Sequence, residues 1–429
     1  MTTEEMMNTD ERYKYLRIIK PRYLAASREE KTRLLDEMEA MTGLHRKHLI
    51  RLLGSNVQRR PRHKERGAVY GRDVDDALRI IGESLDYVCA ERLTPNLVWL
   101  ADHLEAHGEL TTTPALRVQL GQISVTTVRR RLQRVTQDQP RLRRKGRPYG
   151  TALTKDIPMK RIPWDESEPG HMETDLVHHC GPSASGEYVC TVQMIDVATG
   201  WSERAAALGR AYLAIEDAFF RILIRVPFPI REIHPDNGSE FFNYHLLRFW
   251  GKMIAGVQLS RSRPYHKNDN RFVEQKNNTL VRHYLGYERL DTVAQTVLLN
   301  QVYSKMWIYY NLFQPVMNLV DKEVLPPSEG QPGRVRRRYD EPRTPFDRLC
   351  ATEAITPELR ERLERLRDRT NPRQLRQEIY DLIEQVLSLP GAVPGQPEDV
   401  RLTLGMYTIP WEDDGSPVAL SFERTVALR

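Results

Sequence analysis

The spacing of apolar residues changes character along the chain, and those changes divide it. In the N-terminal third, apolar positions recur every three or four residues, the period of amphipathic helices. Ser27 can cap a helix whose first turn carries Glu29 and Glu30 and whose apolar positions include Leu34, Leu35, Met38 and Met41. Gly43 breaks it, and Leu44, Leu49, Ile50, Leu52 and Leu53 follow among His45, Arg46, Lys47, His48 and Arg51. Two short helices joined at a glycine, the second one basic, predict a helix-turn-helix. Beyond a basic connector from Arg59 to Arg66, a second all-helical block is predicted. It comprises Val74 to Tyr87, Pro95 to His107 with Trp99, Leu100 and Leu104 on one face, Pro114 to Gly121, and a helix capped by Ser124 with Val125, Val128, Leu132 and Val135 as its stripe.

From His171 the pattern turns to strands alternating with helices. HMETDLVHH, then YVCTVQMIDVATGW ending at Thr199-Gly200, then Ser202 to Leu208 predict three antiparallel neighbours. A helix from Tyr212 to Arg225 stops before Pro227 and Pro229, and the short strand REIH leads into the turn HPDNGSEF. A helix near Phe241 to Trp250, a strand around Val257 to Ser260, a polar loop and a helix starting near Asn268 complete the block. The order βββαβαβα predicts an α/β ribonuclease-H-like core with a mixed five-stranded sheet. Thr292 to Tyr310 then reads as a long helix, and Pro357 to Leu389 as one or two alternately charged helices interrupted at Asn371-Pro372. The chain is thus expected to be multidomain. A helix-turn-helix module spans 1–66, a second helical DNA-binding module 67–138, a basic linker 139–168, and the catalytic core 169–290. A helical extension over 291–325, a basic linker over 326–345 and a mostly helical C-terminal region over 346–429 follow.

Charge sharpens this division. The 429 residues carry 64 Lys and Arg against 58 Asp and Glu, a net charge of +6. Between Val125 and Pro163 alone, twelve Lys and Arg face Asp138 and Asp156, a local excess of +10. A block this basic, punctuated by Gly146, Pro148 and Gly150, is expected to lie along a polyanion. Its DNA-contact candidates are Arg129, Arg130, Arg131, Arg134, Arg143, Arg144, Lys145 and Arg147. No run approaches the roughly 20 apolar residues that span a bilayer. The acidic, polar start MTTEEMMNTDERYK does not read as a signal peptide, so an intracellular protein is expected. Cys89, Cys180, Cys190 and Cys350 form no CxxC pair and exclude a zinc-ribbon or disulfide scaffold.

Three carboxylates fall where such a core needs them. Asp175 lies in the first strand, Asp236 follows the fourth, and Glu274 sits in a later helix, at intervals of 61 and 38 residues. Phosphodiester cleavage by two Mg²⁺ ions about 3.5 to 4 Å apart requires oxygen ligands of this kind. The segment from Gly170 to Tyr287 strongly resembles the catalytic core of bacterial insertion-sequence DDE transposases, whose core is retroviral-integrase-like. The resemblance rests on E-T-D-L at Asp175, I-D-V-A-T-G-W from Ile195, H-P-D-N-G-S-E-F from His234 and R-P-Y-H-K-N-D-N-R-F-V-E-Q-K-N from Arg263, in order and at compatible spacing.

That resemblance implies a Mg²⁺-dependent enzyme, with Mn²⁺ able to substitute, in which Asp175, Asp236 and Glu274 hold the metal and carry the catalysis. It implies binding to the terminal repeats of an element, cleavage that exposes a 3′-hydroxyl, and joining of that hydroxyl to target DNA. Double-stranded DNA, a homo-oligomer, no membrane and a cytoplasmic, nucleoid-associated setting in bacteria go with it. Unlike retroviral integrases, the chain has Cys89 alone before the core, so no zinc module is carried over.

Other residues near the triad read differently. Asp196 lies near a strand end, Asp269 suits a helix cap and Glu240 a helix start. His178, His179 and Cys180 are adjacent in a strand and cannot converge on one zinc ion. Lys276, Arg282 and His283 could reach DNA phosphates. Two rival readings are a domesticated, non-cleaving DNA-binding protein of the same fold and a ribonuclease H acting on RNA–DNA hybrids.

Overall fold

Side-chain caps set the limits of the first helices. Asn8 begins α1 (Thr9–Ala25) by accepting the amides of Asp10 and Glu11 at 3.0 Å, while Glu11 accepts the Asn8 N–H at 2.7 Å. Ser27 caps α2 (Arg28–Thr42), Gly43 ends it at φ +65°, and α3 (Arg46–Leu53) follows. Leu16, Leu34, Leu35, Met38, Leu49, Leu53 and Val57 form the core of these three helices. The sequence pattern did not announce α1, because Pro21 lies inside it and its apolar residues keep to no single face. The computed structural model describes residues 7–58, 69–135, 166–235, 244–254, 256–260, 270–325 and 334–411. The chain divides into two units, Met1–Val69 and Tyr70–Arg429.

The second unit begins with α4 (Arg72–Ser84), α5 (Ala90–Leu93), α6 (Leu97–Ala106), α7 (Pro114–Gln122) and α8 (Val125–Val135). Val74, Leu78 and Ile81 of α4 and Val128 and Leu132 of α8 belong to the same apolar core as the sheet that follows. The sequence pattern does not foresee this sharing, which depends on contacts between distant segments.

That sheet is built from β1 (His171–His178), β2 (Val189–Asp196), β3 (Ser202–Leu208), β4 (Glu232–Pro235) and β5 (Gln258–Leu259), with α9 (Tyr212–Leu223) and α10 (Tyr244–Met253) in the connections. Its order is β3-β2-β1-β4-β5. β1, β2 and β3 run antiparallel, while β4 and β5 run parallel to β1, giving the mixed five-stranded sheet expected from the element order. β3 is an edge strand whose free backbone groups are occupied by side chains. Asn311 pairs with the Ser202 N–H and carbonyl at 2.9 and 3.0 Å, and Asn300 does the same for Ala206. Such amide pairing closes an edge that would otherwise template another strand.

A helical run starts with α11 (Arg271–Lys276), passes through a π-type turn at Asn277–Arg282 and ends with α12 (His283–Leu285). After α13 (Val293–Ile308) the chain forms a separate hairpin, β6 (Leu319–Leu325) with β7 (Arg334–Tyr339). The Pro and Gly content pointed to a linker throughout 326–345, but over 334–339 the residues form a strand. Helices α14 (Pro345–Cys350), α15 (Pro357–Arg369) and α16 (Pro372–Ser388) follow, the last pair split at Asn371, which caps α16. Among the described residues no helix is long and apolar enough to cross a membrane.

Asp86 ties α4 to this C-terminal region. Its carboxylate accepts the Tyr284 hydroxyl at 2.5 Å, the Arg376 Nε at 2.6 Å and the Tyr380 hydroxyl at 3.0 Å. Asp86 and Tyr87 both adopt positive φ, +55° and +50°, a conformation that non-glycine residues hold only against a cost.

Candidate metal and nucleic-acid site

β1 presents Asp175 near its middle, where the strand pairs with Gln193 of β2 on one side. On the other side the register with β4 ends at Thr174↔Pro235, and Asp236, next in the chain, lies outside the described residues. Asp175 is half-buried and both its oxygens are engaged: Oδ1 accepts the Leu176 N–H at 2.8 Å and Oδ2 accepts the Asn277 Nδ2 at 2.6 Å. Asn277 lies three residues beyond Glu274, so the bond holds the Glu274 helix against the Asp175 strand one turn past the glutamate.

A second tether holds the beginning of that helix. Glu173, two residues before Asp175 and therefore on the same strand parity, is buried. Its Oε2 accepts the N–H groups of Phe272 and Val273 at 2.8 and 3.0 Å, satisfying donors that the first turn of α11 leaves open. Burial pushes the Glu173 carboxyl up to about 8, opposed by those two N–H groups and Arg271, with nearby Glu274 adding to the rise. Glu274 itself is exposed. Strand and helix are thus clamped at Glu173 and Asn277, and Asp175 and Glu274 stand on the two clamped elements. The sequence pattern singles out neither clamp residue, although each lies one structural period from a carboxylate of the expected triad.

Glu173→Ala is expected to cost about 1–2 kcal/mol of stability, as the loss of a helix cap does. It should also speed amide exchange at Phe272 and Val273, with Glu173→Gln milder because its amide oxygen still accepts. Unchanged exchange at both amides in Glu173→Ala would rule out the cap.

Other acidic and histidine candidates have structural partners. Asp196 is fully buried and serves the β2–β3 turn: it accepts the Gly170 N–H at 2.8 Å and the Thr199 N–H and hydroxyl at 2.8 and 2.6 Å. Asp269 and Glu240 lie outside the described residues. His178 Nδ1 lies 3.5 Å from the Cys190 sulfur. The neighbouring His179 is buried against Thr191 at 2.8 Å, and burial pulls its imidazole down to about 3, so it stays neutral. The described residues hold no group of three or more His, Cys, Asp or Glu placed for a metal ion. The donor chemistry of Asp175 and Glu274, carboxylate oxygen without sulfur or imidazole, fits a hard ion such as Mg²⁺.

Several of the basic candidates have partners within the protein. On α8, Arg129 pairs with Glu91, and Arg131 pairs with Asp75 and donates to the Tyr70 carbonyl at 2.9 Å. Arg130 and Arg134 are exposed on the same helix, with Thr126 one turn earlier. Arg143, Arg144, Lys145 and Arg147 lie outside the described residues. Lys276 turns to the Tyr310 hydroxyl, its ammonium 4.7 Å from the ring centroid. Burial, with Arg92 and Arg204 nearby, pulls that ammonium down to about 7. Arg282 donates to the carbonyls of His178 at 2.8 Å and Gly286 at 3.3 Å and lies over the Tyr287 ring. Both side chains hold the Glu274 helix in place through bonds within the protein.

No family model matches the chain. The uncharacterized protein y4rM of Sinorhizobium fredii (strain NBRC 101917 / NGR234) is 36% identical over 330 residues, covering 76% of this chain and 91% of y4rM. Among solved structures, the catalytic core domain of BIV integrase is similar at 15% identity and a TM-score of 0.22, over 28% of this chain and 70% of that one. The HTLV-2 integrase catalytic core domain, in complex with magnesium and in dimeric form, is similar at 17% identity and a TM-score of 0.25, over 34% of this chain and 90% of that one.

Proposed function

We propose that this chain, which belongs to the family of the Sinorhizobium fredii protein y4rM, is a DNA transposase of the DDE type. It would cut the ends of its element to expose 3′-hydroxyls and join them to target DNA. The observation that carries this reading is the double clamp of the Glu274 helix onto the Asp175 strand, through Glu173 and Asn277. It fixes two carboxylates from distant parts of the chain on adjoining elements, and the third member of the motif, Asp236, follows β4 in the same sheet. Asp175, Asp236 and Glu274 would hold Mg²⁺ or Mn²⁺. When bound, the metal supplies charge neutralisation at the phosphate and activation of the attacking oxygen.

The remaining parts have matching roles. The helix-turn-helix of residues 1–66 and the helices of 67–138 would read the terminal repeats. Arg130 and Arg134 offer α8 two exposed cations for phosphates or base edges, beside Arg129, which is exposed but paired with Glu91, and Arg131, which is paired with Asp75. The basic arm with Arg143, Arg144, Lys145 and Arg147 would follow the backbone of the DNA. Two element ends must meet in one reaction, which calls for a homo-oligomer.

The test is nicking of duplex DNA carrying the sequences that flank the gene, with Mg²⁺, with Mn²⁺ and with a chelator. Metal-dependent nicks at the element ends are expected. Binding of those ends without nicking would point to a domesticated DNA-binding protein, and preferential cutting of RNA–DNA hybrids to a ribonuclease H; either result overturns the proposal.

A further inference from the structure

We infer that the β6–β7 hairpin docks in a groove of double-helical DNA through one of its two faces, a contact separate from the helical modules. The inference rests on the reading of the chain as a DNA-joining enzyme. Its grounds are register, charge and exposure.

In the antiparallel register, Arg338 stands opposite Asp321, Arg336 opposite Glu323 and Arg337 opposite Lys322, with Val335 opposite Val324. Directly opposed residues share a face, and successive residues alternate between faces. One face therefore sets arginines against carboxylates, and Arg336 lies 3.9 Å from Glu323. On the other face Arg337 and Lys322 hold facing register positions, and among the described residues no carboxylate holds a position there. Arg337 is exposed, and so are its neighbours Val335 at 44% and Tyr339 at 47%, with Val320 on β6 at 40%.

Like charges directly opposite one another destabilise a ribbon, and apolar side chains exposed beside them forgo burial while in water. A polyanion with apolar base edges compensates both: phosphates meet the cations, while valine methyls and the tyrosine ring meet bases and sugars. A protein surface would need its own carboxylates to do the same. The dimensions fit as well. Strands of seven and six residues form a ribbon roughly 20 Å long, and a two-stranded ribbon enters the major groove, about 12 Å wide.

The root of the hairpin is rigid. Asn318 and Asp340 close it with bonds of 2.7 and 3.0 Å. Arg348 grips Asp340 through two bonds of 2.6 and 2.9 Å and also donates to the Val316 carbonyl at 3.0 Å. Asn318 further donates to the Ala198 carbonyl at 3.1 Å, in the turn after β2. DNA held on the ribbon would thus be fixed relative to the five-stranded sheet.

The experiment compares Arg337→Glu with Arg336→Glu, the same charge change on opposite faces of one strand. Both are made in the full chain carrying Asp175→Asn, so that DNA is bound without being cut. Binding to a labelled mixed-sequence duplex is followed against salt, with thermal melting to check that each variant folds. Arg337→Glu is expected to weaken binding about tenfold or more and to lower the slope of log affinity against log salt by roughly 1. Arg336→Glu should stay within about threefold, and the uncharged change Tyr339→Ala should also weaken binding. Equal effects from the two arginines, or unchanged binding in Arg337→Glu, overturn the inference. So does loss of self-association in Arg337→Glu with duplex binding intact, which would make the face a contact between copies. Failure of the ribbon contact leaves nicking by the parent chain unaffected, and absence of nicking leaves the ribbon contact measurable.

Discussion

Asp175→Asn is expected to abolish metal-dependent nicking and strand joining while leaving duplex binding within a few fold. The substitution keeps size and shape but replaces a charged oxygen ligand by an amide. Charge stabilisation by a bound metal is worth several kcal/mol, and about 4 kcal/mol corresponds to roughly 10³-fold in rate. Folding should suffer little. The wild-type carboxylate accepts one bond from Leu176 and one from Asn277, and the asparagine can keep one acceptor, at a cost of about 1 kcal/mol. Asn277→Ala provides the graded comparison. Asn277 orients Asp175 and brings no charge of its own, so its removal should slow nicking by roughly 10- to 100-fold, as loss of an outer partner of a metal ligand does. Nicking by Asp175→Asn at more than a tenth of the parental rate would remove Asp175 from the metal site. Equal losses in the two variants would show that the asparagine does more than orient the carboxylate.

Much of the core around the candidate site is legible in the sequence, for a physical reason. Strands and short helices around Asp175 and Glu274 carry local signals, a two-residue alternation followed by a polar turn, and their succession predicts a mixed five-stranded sheet without saying which strands lie side by side. The clamps are less visible. Glu173 reads as a polar residue within a strand, and only the arrival of α11 from about one hundred positions later gives its carboxylate two donors. Asn277 likewise becomes a positioning residue only through the packing of its helix against β1. The same holds for Asp86, an ordinary residue after a helix until Tyr284, Arg376 and Tyr380 converge on it. Charge runs hide a different kind of contact. Arg129, Arg131, Lys276 and Arg282 counted as DNA candidates by composition, yet each has a partner within the protein. The arginines of β7 read as linker because Val335 and Tyr339 alone carry the strand period there.

Arg225→Ala is expected to be strongly destabilising, costing about 3–5 kcal/mol, the range for breaking a buried ion pair by removing one partner. Arg225 and Glu203 are 1% and 0% exposed, 3.2 Å apart. Burial pushes the Glu203 carboxyl up and pulls the Arg225 guanidinium down, and their mutual attraction opposes both shifts. Glu203 Oε1 also accepts the indole N–H groups of Trp201, at 3.0 Å, and Trp307. Arg225 in turn donates to the Arg204 carbonyl at 2.6 Å, on the same strand that Asn300 and Asn311 pair with at Ala206 and Ser202. Its removal strands a buried carboxylate and reopens one backbone group of the edge strand. For a unit of this size the loss corresponds to a fall in melting temperature of roughly 5 °C. Glu203→Gln combined with Arg225→Met removes both charges and keeps an acceptor for the indoles, so the double variant should melt above Arg225→Ala. A double variant no more stable than the single one would show that the strand carbonyl, rather than the unpaired carboxylate, sets the cost.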